Sequence, residues 1–305
     1  MKVFGYERAE SVDHAIEAAS QAGAAYYAGG TNLLDLMKAG VRQPDRLVDI
    51  TRLDELKSIE TTKDGSLRIG AMVRNSGLAE HKTIRTDYPA VAEALLSGAS
   101  GQLRNAATFG GNLMQQTRCS YFYDTHSACN LRAPGAGCDA LEGENSKHAI
   151  LGWTRACIAT HPSDFCVPLA ALDAVVEVQG PEGVREIAMA DFHLLPGDTP
   201  DRVSALAPGE LIVALRLPAG ADRFAGHSRY LKVRDRTSFA FATASAAAGL
   251  RMEDGRIAEA RLALGAVAAK PWRVAEAEEA LTGQTPDADL FDRAAAIAMA
   301  GAGPG

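Results

Sequence analysis

A chain of 305 residues, 47% hydrophobic and 23% charged, is long enough for about two domains and apolar enough to bury real cores. Its net charge of −7 and its pI near 5.6 argue against nucleic acid or an anionic membrane surface as a partner. No apolar run approaches the ~18 residues that a membrane span needs. The N-terminus "MKVFGYERAESVDHAIEAAS" has no apolar stretch of the signal-peptide kind, so a cytoplasmic location is expected from this chain's own sequence.

The elements are predicted in chain order. A strand around 3–6 precedes a helix that Ser11 can cap, with Val12, Ala15, Ile16 and Ala19 as its apolar residues. The apolar run 24–28 ends in Gly29-Gly30, "TNLLDLMKAG" reads as a helix stopped by Gly40, and "RLVDI" is a short strand. These elements make a first α+β lobe over 1–55. A second lobe spans 56–190, with a strand at 66–73, an amphipathic helix at 88–99 and a second glycine loop, "RNAATFGGNLMQ". A helix and two strands around Gly180–Gly183 close it. The Pro/Gly-rich stretch "LLPGDTPDRVSALAPGE" reads as a connector into a C-terminal α+β domain over 191–305. There "LIVALRLP" is a strand, Asp254-Gly255 is a hairpin turn between two long runs, and helices follow at 272–282 and 287–299. The tail "GAGPG" is expected to be unstructured.

Two features carry chemistry. "YYAGGTNLL" ends a strand in two glycines, which let a phosphate approach the backbone without a Cβ in the way, and Thr31 and Asn32 add donors. "ATFGGNL" repeats that chemistry with Thr108, Gly111 and Asn112. Neither is a Walker loop or a G-x-G-x-x-G fingerprint. Together they could grip one pyrophosphate, and singly either could be a plain capped turn. The second feature is the placement of all five cysteines: Cys119, Cys129, Cys138, Cys157 and Cys166 fall in one window. Without an export signal a disulfide framework is not expected, and a metal group is the first alternative.

The pairing of "AGGTNLL" with "RNAATFGGNL", followed by "HPSD" and "YLKVRDR", resembles the FAD-binding subunits of the xanthine dehydrogenase, or molybdenum hydroxylase, family over nearly the whole chain. The resemblance implies an α+β fold: a two-lobed FAD-binding domain (vanillyl-alcohol-oxidase/PCMH-like) and a C-terminal domain as in carbon monoxide dehydrogenase flavoproteins. It implies that Tyr26, Tyr27, Ala28, Gly29, Gly30, Thr31, Asn32, Leu33 and Leu34 lie on FAD, with Thr108, Gly111 and Asn112 from the second loop. Ser163-Asp164 stands for the family's Ser-Asp, with Asp164 on the ribityl chain. The resemblance also implies that Ile212 packs at the isoalloxazine and that Lys232 lies near it. His161 is a candidate flavin contact and equally a structural histidine. No residue is assigned as acid, base or nucleophile.

Most family members have a short spacer between the Gly-Gly-Asn loop and the Ser-Asp, whereas here an insertion at about 116–158 holds Cys119, Cys129, Cys138 and Cys157. Four thiolates suffice for a [4Fe–4S] cluster. Arg132 and Lys147 could offset their charge, and Cys166 is read as core packing. Structural zinc also takes four cysteines but favours close C-x₂₋₄-C pairs, which are missing here. The run resembles the [4Fe–4S]-containing flavoprotein subunits of three-subunit bacterial aldehyde oxidoreductases, some of them periplasmic. The implied partners are a molybdenum-cofactor catalytic subunit, a small [2Fe–2S] subunit and an external electron acceptor. A partner's twin-arginine signal would take the complex to the periplasm. The alternatives are a 4-hydroxybenzoyl-CoA reductase-like flavoprotein and a zinc-stabilised flavin-binding protein without a redox role. Family members usually continue past the last residue with another helical segment, so a shortened C-terminal domain is expected.

Overall fold

The computed structural model describes residues 1–303. Three sheets organise it. The first is parallel, in the order β1 (Gly5–Arg8), β3 (Arg46–Asp49), β2 (Ala24–Tyr27). The Val12–Ala19 helix connects β1 to β2. Ser11 caps it by accepting from His14 N, and Val12, Ala15, Ile16 and Ala18 are buried against the sheet.

The second sheet is antiparallel, in the order β4 (Ile59–Thr61), β5 (Leu67–Gly70), β8 (Leu211–Leu217), β6 (Val175–Gly180), β7 (Gly183–Ala188). The strand read as the start of a C-terminal domain is therefore the middle strand of the second lobe. The 191–209 connector leaves that lobe and returns to it, so the expected boundary at 190 falls inside the unit. The β6–β8 register shifts between Glu177 and Val178, skipping Val213. A bulge of this kind turns a side chain to the opposite face. Val213 packs with Leu211 in the first lobe's core, whereas Ile212, Leu215 and Leu217 join the larger central core. One strand thus fastens both lobes.

The third sheet is antiparallel, in the order β12 (Trp272–Arg273), β11 (Arg256–Gly265), β10 (Ala244–Glu253), β9 (Ser228–Val233). Asp254 at φ 49° and Gly255 at φ 75° form the β10–β11 turn, the positive-φ pair that a right-twisted two-residue hairpin requires. The helices Ala275–Leu281 and Ala288–Ala298 cover this sheet, with Leu281, Leu290 and Ala294 on Ile257 and Ala260.

The tail expected to be unstructured is ordered as far as it is described. Gly303 N donates to Ile150 O at 2.9 Å and Trp153 Nε1 donates to Gly303 O at 3.2 Å. Pro304 and Gly305 lie outside the described residues. No helix among the described residues is long and apolar enough to cross a membrane.

Candidate functional site

A cleft of about 870 Å³ runs between the lobes and the third sheet, within the usual range for a small-molecule site. Its wall includes Thr31, Asn32, Asn75, Gly111, Asn112, Asp164 and Lys232. The remaining first-loop positions, Tyr26, Tyr27, Ala28, Gly29, Gly30, Leu33 and Leu34, support that wall without lining it. A Cβ on Gly29 would sit 2.1 Å from Ala106 O, so only glycine lets the two loops touch. Gly30 lies at φ +70° with Tyr27 and Leu34 against it. Tyr26 donates from its hydroxyl to Gly209 O at 2.7 Å, anchoring the loop to the connector.

The second glycine motif is a short helix, Phe109–Leu113, rather than an open loop. Thr108 caps it, its Oγ1 accepting from Gly111 N at 3.2 Å. That engagement and near-complete burial remove Thr108 from the cleft.

Several polar groups on the wall are poised for a ligand. Asn32 Oδ1 accepts from Gln116 N at 2.9 Å, while its Nδ2 is buried without a partner. Asn75 Oδ1 is likewise buried and unpartnered. Buried polar groups are almost always satisfied, so this pair fits a bound hydrogen-bonding group such as FAD. Asn112 Oδ1 is fixed by Ser163 Oγ at 2.8 Å and Gln115 Nε2 at 2.6 Å. Arg104, Arg118 and Arg236 line the cleft and make no ion pair among the described residues. Arg104 is oriented by donating to Leu96 O, Gly98 O and Ala99 O, and none of the three charges is cancelled by a carboxylate within ion-pair distance among the described residues. Arg118 stacks on Phe241 at 4.5 Å.

Lys232 and Asp164 form a buried pair, Nζ to Oδ2 at 2.8 Å with side chains 4% and 8% exposed, respectively. Lys232 Nζ also donates to Ser97 O at 3.1 Å, and Tyr230 OH donates to Asp164 Oδ1 at 2.5 Å. Burial, then the Asp164 charge, raises the Tyr230 phenol far above its ordinary value, so it remains a donor. The pair joins the second lobe to β9 at the cleft wall.

Two candidates lie elsewhere. Ile212 is buried in β8, opposite Val178, in the central core. A strand in the middle of a covered sheet cannot offer its side chain to the cleft. His161 faces a different, smaller cavity with His193, Leu113, Cys157 and Val203. Its ring centroid is 4.1 Å from that of His193, while its neighbours Thr160 and Pro162 turn to the cleft. His193 Nε2 donates to Leu113 O at 2.8 Å, and burial pulls its pKa down to about 4. The ligand atoms of His161, Cys166 and His193 come within 4.8 Å of one another. Cys166 is fully buried, and burial pushes its thiol up to about 12.

The other four cysteines converge on one cavity. Cys119, Cys129, Cys138 and Cys157 line it together with Phe122, Leu131, His148 and Ile158. Cys129 and Cys138 face each other across an isolated antiparallel bridge. Asn130 ties the loop by accepting from Gly137 N at 2.8 Å and donating to Ala156 O at 2.9 Å. Burial raises the Cys157 thiol to about 12 and shifts Cys119 in the same direction, with the other thiols adding to it. Among the described residues, no three of these sulfurs come within 4.8 Å of one another. A tetrahedral zinc with Zn–S near 2.3 Å would bring them to roughly 3.8 Å apart. A compact zinc site of that kind is therefore not preformed here.

The expected counter-charges are engaged elsewhere. Arg132 donates to the backbone oxygens of Tyr121, Phe122 and Ser127, and Lys147 pairs with Asp235. Arg42, over the Phe122 ring at 5.9 Å, has a guanidinium that loses proton affinity through burial and regains some from Cys129. Lying over seventy positions before the insertion, it gave no sequence signal. Asn75 lies outside both glycine motifs and His148 lies among the inserted cysteines without being one, so neither belonged to a motif.

Residues 2–220 match the family described as "FAD binding domain in molybdopterin dehydrogenase", and residues 229–305 match "CO dehydrogenase flavoprotein C-terminal domain". The aldehyde oxidoreductase FAD-binding subunit PaoB of Escherichia coli K12 is 53% identical over 284 residues, 92% of this chain and 87% of that protein. The carbon monoxide dehydrogenase medium chain of Afipia carboxidovorans is 28% identical, covering 97% of this chain and 86% of that protein. Among solved structures, reconstituted CO dehydrogenase from Oligotropha carboxidovorans superposes with a TM-score of 0.77 at 26% identity, over 99% of this chain and 88% of the other. With both halves of the chain matched in order, and the glycine loops and Asp164–Lys232 pair gathered on one cleft, the chain belongs to the FAD-binding subunits of the molybdenum hydroxylase family.

Proposed function

We propose that this chain is the FAD-binding electron-transfer subunit of a molybdenum-containing aldehyde oxidoreductase, and that Cys119, Cys129, Cys138 and Cys157 hold a [4Fe–4S] cluster beside the flavin. The observation that carries the reading is one shared wall: Thr117, Cys119 and His148 line both the cleft and the four-thiol cavity. The aldehyde assignment is supported by the similarity to the E. coli aldehyde oxidoreductase subunit. The cluster reading is supported by the convergence of the four thiols on one cavity. A molybdenum subunit and a small [2Fe–2S] subunit are the partners this reading requires.

When bound, FAD and the cluster supply the redox chemistry, FAD converting between single-electron and two-electron transfer. The chain positions and shields. Asn32 Nδ2 and Asn75 Oδ1 offer a donor and an acceptor to FAD, and Arg104, Arg118 and Arg236 offer charge to its phosphates. The Asp164–Lys232 pair holds the third sheet against the second lobe, fixing the width of the cleft. No side chain needs to exchange a proton with an aldehyde.

Co-purification tests the reading. The chain is expected to bring down a molybdenum subunit and a [2Fe–2S] subunit, and an aldehyde should bleach the flavin band of that complex. A molybdenum-loaded complex whose flavin does not bleach with any aldehyde would overturn it.

A further inference from the structure

The wall between the two cavities has one polar feature that neither glycine motif nor thiol spacing explains. His148 Nε2 lies 3.2 Å from Cys119 Sγ, and its Nδ1 is buried without a partner. His148 N donates to Asn145 O at 2.9 Å, and the His148 ring centroid lies 6.4 Å from that of Tyr121. The Tyr121 hydroxyl in turn accepts from Glu144 N at 2.7 Å. A Cβ on Gly143 would fall 2.0 Å from that hydroxyl, so the segment carrying His148 is pressed onto Tyr121. Of the four thiols, Cys119 is the one that also lines the cleft.

We propose that His148 is a positioning residue for electron transfer: its Nε2–H bond to Cys119 Sγ fixes that sulfur between cluster and flavin and raises the reduction potential of the cluster. This rests on the four-thiol cluster reading above. Here the Cys119 thiol stands in for a ligated thiolate. A thiolate has no proton, so the imidazole is the donor. Adding an electron to a cluster increases the negative charge on its sulfurs. A donor bond is therefore stronger in the reduced form, and reduction becomes more favourable. Partners of this kind, one bond beyond the metal ligands, tune potential as well as orientation.

The test compares His148→Leu, which removes the donor, with His148→Asn, which keeps an N–H. Iron per chain and the cluster midpoint potential are measured in the purified complex. In His148→Leu the reduction equilibrium is expected to fall on the order of tenfold, about 59 mV for one electron. The shift should be smaller in His148→Asn. Loss of iron in His148→Leu with retention in His148→Asn would also support the hydrogen bond. An unchanged potential in an iron-loaded His148→Leu protein would overturn the proposal, as would equal iron loss in both variants. A wild-type complex without iron would instead refute the cluster reading itself.

Discussion

The flavin cleft and the thiol cavity share a wall but are built in opposite ways. The cleft is made by regular elements brought into close contact. Gly29 lies against Ala106 O, a five-residue helix is capped by Thr108, and β9 is tied to the second lobe through Lys232 and Asp164. Its geometry follows from packing, and it can stand before any ligand arrives. The thiol cavity is made of irregular chain. Side chains such as Asn130 and Arg132 hold its turns by bonding backbone groups, and burial keeps Cys119 and Cys157 from ionising. A group that takes thiolates must release those protons, so binding in this region is coupled to proton loss.

That contrast can be broken at either end. The largest effects should dissociate the two cofactors. Gly29→Ala forces a Cβ into a backbone oxygen that cannot move aside, which should weaken FAD binding by roughly 100-fold, about 2.7 kcal/mol, while iron content stays at the wild-type level. Cys129→Ala should do the reverse, abolishing the iron and leaving the flavin. Flavin fluorescence after denaturation and metal analysis read both.

Next comes the joint between the second lobe and β9. Asp164→Asn leaves the Lys232 ammonium buried and unpaired, a change that typically costs 3–5 kcal/mol. A large drop in Tm is expected, mostly recovered when Lys232→Met is added. A smaller effect belongs to the wall behind both sites. Burial pulls the His193 imidazole down to about 4 from its ordinary 6.5. The unfolded chain therefore takes up its proton as pH falls below 6.5, while the folded protein does so only near 4. Stability is lost as pH falls through that window. Between pH 7 and 5 the wild type should lose about 2 kcal/mol more than His193→Gln, measured by denaturant unfolding. The smallest effect is expected for Gly111→Ala, where the added Cβ meets only Thr108 Oγ1 at 3.1 Å. That change should cost under about 1 kcal/mol, despite the likeness of the two glycine motifs in sequence.

Much of the fold was legible where the signal is local. The Ser11 cap, the Gly40 stop and the Asp254-Gly255 turn are written in two to four residues each. What was not legible is set by long-range pairing. Nothing in "LIVALRLP" announces that it inserts between β5 and β6, and that insertion moves both the domain boundary and Ile212. The site shows the same split. Thr31, Asn32, Gly111, Asn112, Asp164 and Lys232 could be carried from the family motifs onto the cleft wall, whereas His161 follows a backbone that turns its neighbours, not itself, toward the cleft. His148 meets Cys119 from within the insertion, a pairing that no cysteine spacing rule encodes.

The most direct measurement is a cofactor count on the purified wild-type protein. Roughly one FAD and about four iron atoms per chain, with a brown absorbance shoulder that bleaches with dithionite, is the result predicted. A protein that carries FAD together with zinc, or with no metal, and shows no bleachable shoulder would contradict the account.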